Sequence, residues 1–181
     1  VEPTLSLITN IGVSHIENLG SREGILKAKT EILSGMKHGY PLILNGDDDM
    51  LQTVDLGDDY PVITYAVKNT QNADFIAENI IEKDGKTTFT VSFCNHTLKQ
   101  EITIPTIGIH NVYNALAAFA VGYILQVDYQ SAADALAAYV PEGMRQKSVA
   151  FNGITCIEDC YNASPDSMRA ALTTLSNTEG K

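Results

Sequence analysis

Two patterns of hydrophobic and polar residues alternate along the first part of the chain. Short apolar runs, typical of buried strands, cover residues 5–11, 41–45 and 62–67. Between the first two runs, residues 21–36 carry apolar side chains at every third or fourth position, which is typical of a helix. A shorter helix is predicted at 49–54. This alternation predicts an α/β fold with a mostly parallel sheet and flanking helices.

A different pattern follows, in which three strand-like runs lie close together. They cover residues 75–82, 86–93 and 98–104. Between the first two, the dipeptide Asp84-Gly85 favours a tight hairpin turn. These runs predict a small antiparallel β meander attached to the α/β core.

The remainder of the chain predicts three helices and a second hairpin around Asn152-Gly153. A break at Pro141-Glu142-Gly143 indicates a domain boundary near residues 141–145, with domains at 1–142 and 143–181. The predicted helices cover 112–125, 131–139 and the residues after Ser164, and the hairpin strands cover 149–151 and 154–158.

Acidic residues outnumber basic residues by 22 to 12, which gives the 181-residue chain a formal net charge of −10. This charge argues against nucleic acid or an anionic membrane as the main partner. No apolar run is long enough to predict membrane insertion. Three cysteines without a C-x-x-C pair suit a reducing compartment. We therefore expect a cytoplasmic protein with Cys94, Cys156 and Cys160 in or near the core.

Lys29 falls within the apolar stripe of the predicted helix 21–36, for which Ser21 is the predicted N-cap. At about 100° per residue, Lys29 lies roughly 40° from Ile25, whereas Lys27 points to the opposite side. A buried ammonium group is costly unless it is paired, neutralised or chemically modified. Lys29 therefore either extends to the rim of the core or faces a polar cleft in which it has a function.

Polar residues follow the first predicted strand, at an edge where open α/β sheets bind ligands. His15 lies in this turn, shortly after Gly12. A histidine at this position can bind a metal or contact a phosphate, and it can equally be a loop residue with one backbone hydrogen bond.

Two asparagines, Asn111 and Asn114, stand three residues apart at the start of the apolar helix 112–125, so they share one helix edge. Asn111 can cap this helix, whereas Asn114 is predicted to be a buried amide that needs partners. Two amides on one edge can contact the hydrogen-bonding rim of a purine or position a metal-bound phosphate.

Further candidates lie at the predicted domain boundary and beyond it. Arg145 either reaches a phosphate through its planar guanidinium group or is an ordinary surface residue. Asp159, at a strand end, can accept hydrogen bonds from a ribose, and we favour a functional role for it and for Tyr161. For Asp166 and Ser167 we favour a role at the start of a helix.

Five motifs stand out in the chain: Thr9-Asn10-Ile11-Gly12 with Ser14-His15-Ile16-Glu17, Ala28-Lys29-Thr30-Glu31-Ile32, Gly108-x-His110-Asn111-x-x-Asn114-Ala115-Leu116-Ala117-Ala118, Gly143-Met144-Arg145, and Asp159-x-Tyr161-Asn162-Ala163-Ser164-Pro165-x-Ser167-Met168. In this order they resemble the Mur ligase family of peptidoglycan synthesis. The Tyr-Asn-Ala-x-Pro run favours the branch of the family that adds D-alanyl-D-alanine.

The resemblance implies that residues 1–142 form most of the family's central ATP-binding domain and that residues 143–181 begin its Rossmann-like C-terminal domain. The chain contains no G-x-x-x-x-G-K-[ST] sequence, which is the phosphate-binding P-loop. The resemblance places that loop, an acidic metal ligand and a UDP-substrate domain before Val1. We therefore expect the chain by itself to be inactive and to bind ATP weakly or not at all.

The reaction that the resemblance implies is amide bond formation driven by ATP and Mg²⁺. ATP phosphorylates the carboxylate of UDP-N-acetylmuramoyl-tripeptide, and the amine of D-alanyl-D-alanine attacks the acyl phosphate. The resemblance also implies that Lys29 is carbamylated and thereby becomes an anionic Mg²⁺ ligand. The other implied roles are Mg²⁺ and phosphate binding for His15, metal-phosphate and adenine contacts for Asn111 and Asn114, phosphate contact for Arg145, ribose binding for Asp159, and a place in the nucleotide site for Tyr161.

Two alternatives stay open from the sequence. The first is another ligase of the superfamily, such as a folylpolyglutamate synthase, which shares the strand-end histidine and the lysine but is disfavoured by the Tyr-Asn-Ala-x-Pro run. The second is a non-catalytic nucleotide-binding module. For the ligase we expect a monomer.

Overall fold

The structure is a computed structural model that describes residues 2–14, 16–93, 95, 97–140 and 147–177. The predicted site residues His15 and Arg145, together with Cys94, lie outside the described residues. The structure therefore does not test the predictions made for these three residues.

A six-stranded sheet holds its strands side by side in the same order as they occur along the chain. The first four strands are parallel to one another, and the fourth, fifth and sixth pair with each other antiparallel, so the fourth strand belongs to both parts of the sheet. The predicted α/β fold is therefore confirmed, and the meander continues the parallel sheet through the pairing of Tyr65 with Phe75. The strands are β1 (Ser6–Ile8), β2 (Leu42–Asn45), β3 (Val62–Ala66), β4 (Phe75–Lys83), β5 (Lys86–Phe93) and β6 (Leu98–Ile104).

Helices cover both faces of this sheet. The predicted helix 21–36 consists of an α-helix that ends at Thr30 and a 3₁₀ turn over Glu31–Gly35. Ser21 is its N-cap, as predicted, because its hydroxyl accepts the Gly24 N–H at 3.2 Å. The α-helices are α1 (Ile16–Leu19), α2 (Arg22–Thr30), α3 (Ile109–Ile124), α4 (Tyr129–Ala137) and α5 (Pro165–Asn177), and a second 3₁₀ turn covers Leu51–Thr53.

Strand β2 is buried on both faces, which places it in the middle of the layers. Its Ile43 packs into the cluster formed with α3 and the meander, whereas Leu42 and Leu44 pack with Ile25 of α2. Successive side chains of a strand point to opposite faces, so a continuous apolar run such as this one fits between two layers of helices.

A close helix contact explains why residue 24 is a glycine. A Cβ atom at Gly24 would lie 2.1 Å from the carbonyl oxygen of Leu19, well inside van der Waals contact. Helix α1 can therefore end directly against the first turn of α2 only because Gly24 has no side chain.

A separate two-stranded sheet is formed by β7 (Lys147–Phe151) and β8 (Ile154–Glu158), as the second predicted hairpin requires. Asn152 and Gly153 both have positive φ angles, 49° and 77°, which is the geometry of a two-residue hairpin turn. The boundary segment 141–146 lies outside the described residues, and the division into two domains stays a prediction.

Two further sequence-based expectations concern the surface. Cys156 and Cys160 are exposed, so the prediction that they lie in or near the core is wrong. They belong to the segment after the predicted boundary, which contributes Thr174 as its buried side chain among the described residues. In the part of the chain that the structure describes, no helix has the length and apolar character needed to cross a membrane.

Candidate functional site

A cleft of about 520 Å³ opens at the carboxyl end of β1, between the first turns of α3 and α5. It gathers residues that are far apart in the sequence, and among them are four of the predicted site residues. The lining includes Asn10, Asn111, Asn114, Asp159, Tyr161 and Asp166. The location agrees with the general rule that α/β sheets bind ligands at the carboxyl ends of their strands.

The described lining of the cleft is polar and carries negative charge. Asp159 and Asp166 supply carboxylates, and no lysine or arginine is among the described residues of the lining. Such a surface disfavours a bare phosphate and favours a neutral ligand rich in hydrogen-bonding groups, for example a nucleoside.

The two asparagines of α3 differ from their predicted environments. Asn111 is not the N-cap, because the helix begins at Ile109 and Gly108 occupies the cap position. The Asn111 side-chain amide donates to the carbonyl of Ile107 at 2.7 Å, within the loop that leads into the helix. Asn114 is exposed rather than buried, so it needs no protein partner and can face a ligand in the cleft.

Gly108 allows the chain to turn sharply into α3. Its φ angle is +98°, which residues with side chains rarely adopt. Its N–H donates to the Glu82 carboxylate at 2.8 Å. A Cβ atom here would also lie 2.8 Å from Oγ1 of Thr174 in α5, so a glycine at this position lets α5 approach the start of α3 closely.

Lys29 is exposed, which agrees with both predicted alternatives, a position at the rim of the core and a position that faces a polar cleft. It lies in the last turn of α2, and its Nζ donates to the carbonyl oxygen of Asn10 at 2.6 Å. Because Asn10 lines the cleft, Lys29 is connected to the cleft through this one carbonyl group. Its role in catalysis stays a prediction.

The loop after β1 is fixed by charged side chains from three different elements. The N–H of Ile11 donates to Asp48 at 2.7 Å, and its carbonyl accepts from Nε and Nη2 of Arg22 at 3.1 and 2.9 Å. The N–H of Val13 donates to Asp166 at 3.3 Å. Asp166 therefore connects α5 to this loop in addition to standing in the first turn of its helix.

Asp47 is a residue that the sequence reasoning missed. Its carboxylate accepts the backbone N–H groups of Val67, Lys68 and Asn69 at 2.6, 2.9 and 2.7 Å, and the hydroxyl of Tyr113 at 2.7 Å. The signal that could have identified it is a run of three aspartates directly after a buried strand, at the sheet edge where ligands bind.

These contacts shift the pKa values of both partners. Partial burial raises the pKa of Asp47, but the N–H groups of Val67 and Lys68 and the hydroxyl of Tyr113 outweigh it, so the net pKa is lowered. Burial raises the pKa of Tyr113 far above the ordinary tyrosine value, and its hydrogen bond to the Asp47 carboxylate raises it further. Asp47 is therefore held as a carboxylate and Tyr113 as a neutral donor.

The described residues do not form a preassembled cluster of metal ligands. They contain no group of three histidine, cysteine, aspartate or glutamate side chains placed to hold a metal ion. The predicted ligands, His15 and a carbamate on Lys29, fall outside this statement, so Mg²⁺ binding by them stays a prediction.

Comparison with known proteins gives consistent results. The family described as Mur ligase middle domain matches residues 1–122. The UDP-N-acetylmuramoyl-tripeptide–D-alanyl-D-alanine ligase of Bacillus subtilis is 37% identical over 179 residues, which cover 98% of this chain and 37% of that protein. The ligase of the same name from Escherichia coli is 32% identical, over 98% of this chain and 39% of that protein.

Solved structures agree with the sequence matches. A crystal structure of MurF from Acinetobacter baumannii superposes with a TM-score of 0.90 at 27% identity, over 99% of this chain and 39% of that chain. MurF from Thermotoga maritima in complex with ADP has the same fold, with a TM-score of 0.84 at 21% identity, over 100% of this chain and 41% of that chain. The chain thus spans less than half the length of these relatives.

Proposed function

Because this chain belongs to the Mur ligase family through its middle domain, we propose that it is part of an ATP-dependent ligase that adds D-alanyl-D-alanine to UDP-N-acetylmuramoyl-tripeptide. The proposal rests on two observations that agree, namely the reaction for which the relatives are named and the cleft that the motifs of this chain form. Proteins named for this reaction match nearly the whole chain, and three of its five motifs contribute residues to one cleft.

Within this proposal, the cleft holds the nucleoside part of ATP. Asp159 accepts hydrogen bonds from the ribose, Tyr161 lies against the nucleotide, and the amides of Asn111 and Asn114 contact adenine and the adjoining phosphate. The polar, acidic lining supports the placement of the nucleoside, and not the triphosphate, in the cleft, because it suits a neutral nucleoside better than a triphosphate. The phosphates then depend on groups outside the described residues, including His15, Arg145 and a P-loop that this chain does not contain.

Lys29 is proposed to act near the reacting phosphate as a carbamate. The neutral amine forms a bond to carbon dioxide and releases one proton, so one N–H stays on the nitrogen. The group can therefore keep its hydrogen bond to the Asn10 carbonyl, while its two carboxylate oxygens share one negative charge. Its exposure supports this chemistry, because carbon dioxide can reach the amine. Binding of Mg²⁺ by Lys29 and His15 stays a prediction from the family resemblance.

We further propose that the ligase is a cytoplasmic monomer with its domain boundary near residues 141–145. Three cysteines without a C-x-x-C pair support a reducing compartment, where thiols persist.

The proposal is tested by ADP release from the longer protein that contains this chain. The assay supplies Mg²⁺-ATP and UDP-N-acetylmuramoyl-tripeptide, with and without D-alanyl-D-alanine. Release that depends on the dipeptide is expected. Release that ignores the dipeptide but requires glutamate and a folate would instead assign the protein to the sister family, and no release with either pair would contradict a ligase function.

A further inference from the structure

Three consecutive aspartates, Asp47, Asp48 and Asp49, form the turn after β2, which we call the aspartate turn. A run of carboxylates suggests a cation site, but the oxygens here accept hydrogen bonds from the protein itself, and each residue is directed to a different element. We propose that the aspartate turn is a positioning hub that sets the placement of the loop after β1, of α2 and of α3 around the cleft. The inference rests on the proposed ligase function for its kinetic consequences.

Asp48 holds the loop after β1. Its Oδ2 accepts the N–H of Ile11 at 2.7 Å, and its Oδ1 accepts the N–H groups of Met50 and Leu51 at 3.1 and 2.9 Å. Both oxygens are therefore in use, and the carboxylate joins its own turn to the neighbouring loop. Ile11 is 1% exposed, so its N–H would lose a necessary partner if Asp48 could not accept.

Asp49 holds the same loop indirectly, through Arg22 of α2. Arg22 Nη1 donates to Asp49 Oδ2 at 2.8 Å, while Nε and Nη2 donate to the Ile11 carbonyl. The planar guanidinium group thus connects two elements at once, which a lysine could not do. Both backbone polar groups of Ile11 are fixed in this way, and the preceding residue, Asn10, presents its carbonyl to Lys29.

Asp47 holds α3, the helix that carries the two asparagines of the cleft. Its hydrogen bond to Tyr113 joins residues 66 positions apart in the chain, and its three backbone donors fix the carboxylate itself. None of the three aspartates is among the described residues that line the cleft. They are therefore positioning residues, which act on the substrates through Asn10, Lys29 and α3.

Two kinetic signatures follow. A change at Asp48 displaces the loop next to Lys29 and should lower kcat, because a displacement of about 1 Å at a reacting group costs up to about 100-fold in rate. A change at Asp47 displaces α3 and should raise the KM for ATP. Residues that merely supported folding would not separate an effect on kcat from an effect on the KM for ATP.

The test uses the longer enzyme with Asp48→Asn, Arg22→Lys and Asp47→Asn, each compared with wild type at a temperature where circular dichroism shows the protein to be folded. Asparagine cannot accept on both ends of its side chain, since one end is an NH₂ donor. The matched control is Asp55→Asn, which changes an exposed carboxylate that accepts only the nearby Gly57 N–H at 3.0 Å in the described contacts.

We expect Asp48→Asn and Arg22→Lys to lower kcat by about 10- to 100-fold with the KM for ATP within about threefold of wild type. Asp47→Asn is expected to raise that KM by about tenfold, and Asp55→Asn to match wild type. If Asp48→Asn does not fold, Arg22→Lys decides, and a folded Arg22→Lys enzyme with wild-type kcat overturns the hub. The reverse division, with Asp47→Asn acting on kcat alone, overturns it as well.

Amide hydrogen exchange gives a second readout that needs no turnover. In folded Asp48→Asn protein the Ile11 amide should exchange about tenfold faster or more, while the Leu44 amide in β2 keeps its rate. Unchanged exchange at Ile11 contradicts the hub even if the ligase proposal is correct. Conversely, faster exchange in a protein that shows no dipeptide-dependent ADP release supports the hub and rejects only the ligase proposal.

Discussion

The hydroxyl of Tyr113 in α3 donates to the carboxylate of Asp47 in the turn after β2 at a distance of 2.7 Å. This contact joins a helix to the edge of the sheet where the cleft opens. Because the site is partly buried and the acceptor is charged, the hydrogen bond contributes more to stability than an exposed hydrogen bond between neutral groups.

Tyr113→Phe should lower the free energy of unfolding by about 1.5 kcal/mol, because the ring stays in place while the Asp47 carboxylate loses one of its four donors. Equilibrium urea unfolding of the described chain measures the change. Tyr40→Phe, at an exposed tyrosine, is the matched control and should change stability by less than about 0.5 kcal/mol. Equal stabilities of the Tyr113→Phe and wild-type proteins would show that the contact contributes nothing.

The same carboxylate predicts a dependence of stability on pH. The pKa of Asp47 is lower in the folded protein than its ordinary value of 3.8. The contribution of Asp47 to the free energy of unfolding is therefore complete above the pKa that Asp47 has in the unfolded chain. It is lost as the pH falls through the pKa that Asp47 has in the folded protein. The measurement is the difference in unfolding free energy between wild type and Asp47→Asn, which should be largest above about pH 5 and shrink toward about pH 2. A difference that grows on acidification would reverse the assigned sign.

Two glycines in helices should respond to alanine with opposite signs. By helix propensity alone, each Gly→Ala change stabilises a helix by about 1 kcal/mol. At Gly122 in α3 the nearest atoms lie 3.8 Å from the new Cβ, so this gain should be observed. At Gly24 the Cβ would lie 2.1 Å from a backbone oxygen of Leu19, and we expect a net loss of at least about 2 kcal/mol. Thermal unfolding of both variants checks the contrast, which disappears if the Leu19 turn can simply shift.

Lys29→Ala should remove most of the ligase activity of the longer enzyme, on the order of 100-fold in kcat or more, because the group held against the Asn10 carbonyl is lost. Lys27→Ala is the matched control, since Lys27 is also exposed and lies two residues away on α2. ADP release measures both variants. Unchanged turnover of Lys29→Ala would leave Lys29 as a side chain that only contacts the end of β1.

The described chain by itself should bind ATP no more tightly than adenosine. It contains no P-loop, and the described lining of its cleft offers no lysine or arginine to the phosphates. Isothermal titration calorimetry with adenosine, ADP and ATP makes the comparison, and the longer enzyme, which we expect to prefer ATP, is the control. An affinity for ATP about tenfold above that for adenosine would show that phosphate contacts lie within this chain.

Much of the sheet could be predicted from the sequence, because burial on one or both faces imposes a regular pattern on strands. Strand β1 shows where the pattern stops being sufficient. The apolar run predicted a strand over 5–11, but the strand ends at Ile8. Asn10 and Ile11 leave the sheet because their backbone groups are held by side chains from other elements, which no local pattern reveals.

The apolar stripe around Lys29 is shorter than predicted, for a related reason. The apolar stripe was counted over one helix from 21 to 36, yet the α-helix ends at Thr30. Ile32, one of the residues that defined the stripe, is 42% exposed. Lys29 consequently lies at the end of the helix, with open space toward the loop after β1. The partners of Asp47 were equally inaccessible to sequence reasoning, since they lie 20 or more residues away.

The order of the strands in the sheet also has a consequence for how the protein folds. Each of the six strands lies beside its neighbour in the sequence, so no pairing has to wait for a distant segment of the chain. The meander of β4, β5 and β6 has the shortest connections, with Asp84 and Gly85 in the turn between the first two strands. Local contacts cost the least chain entropy and form first. We therefore expect this meander to be the folding nucleus, onto which the parallel strands assemble in reverse order of the chain.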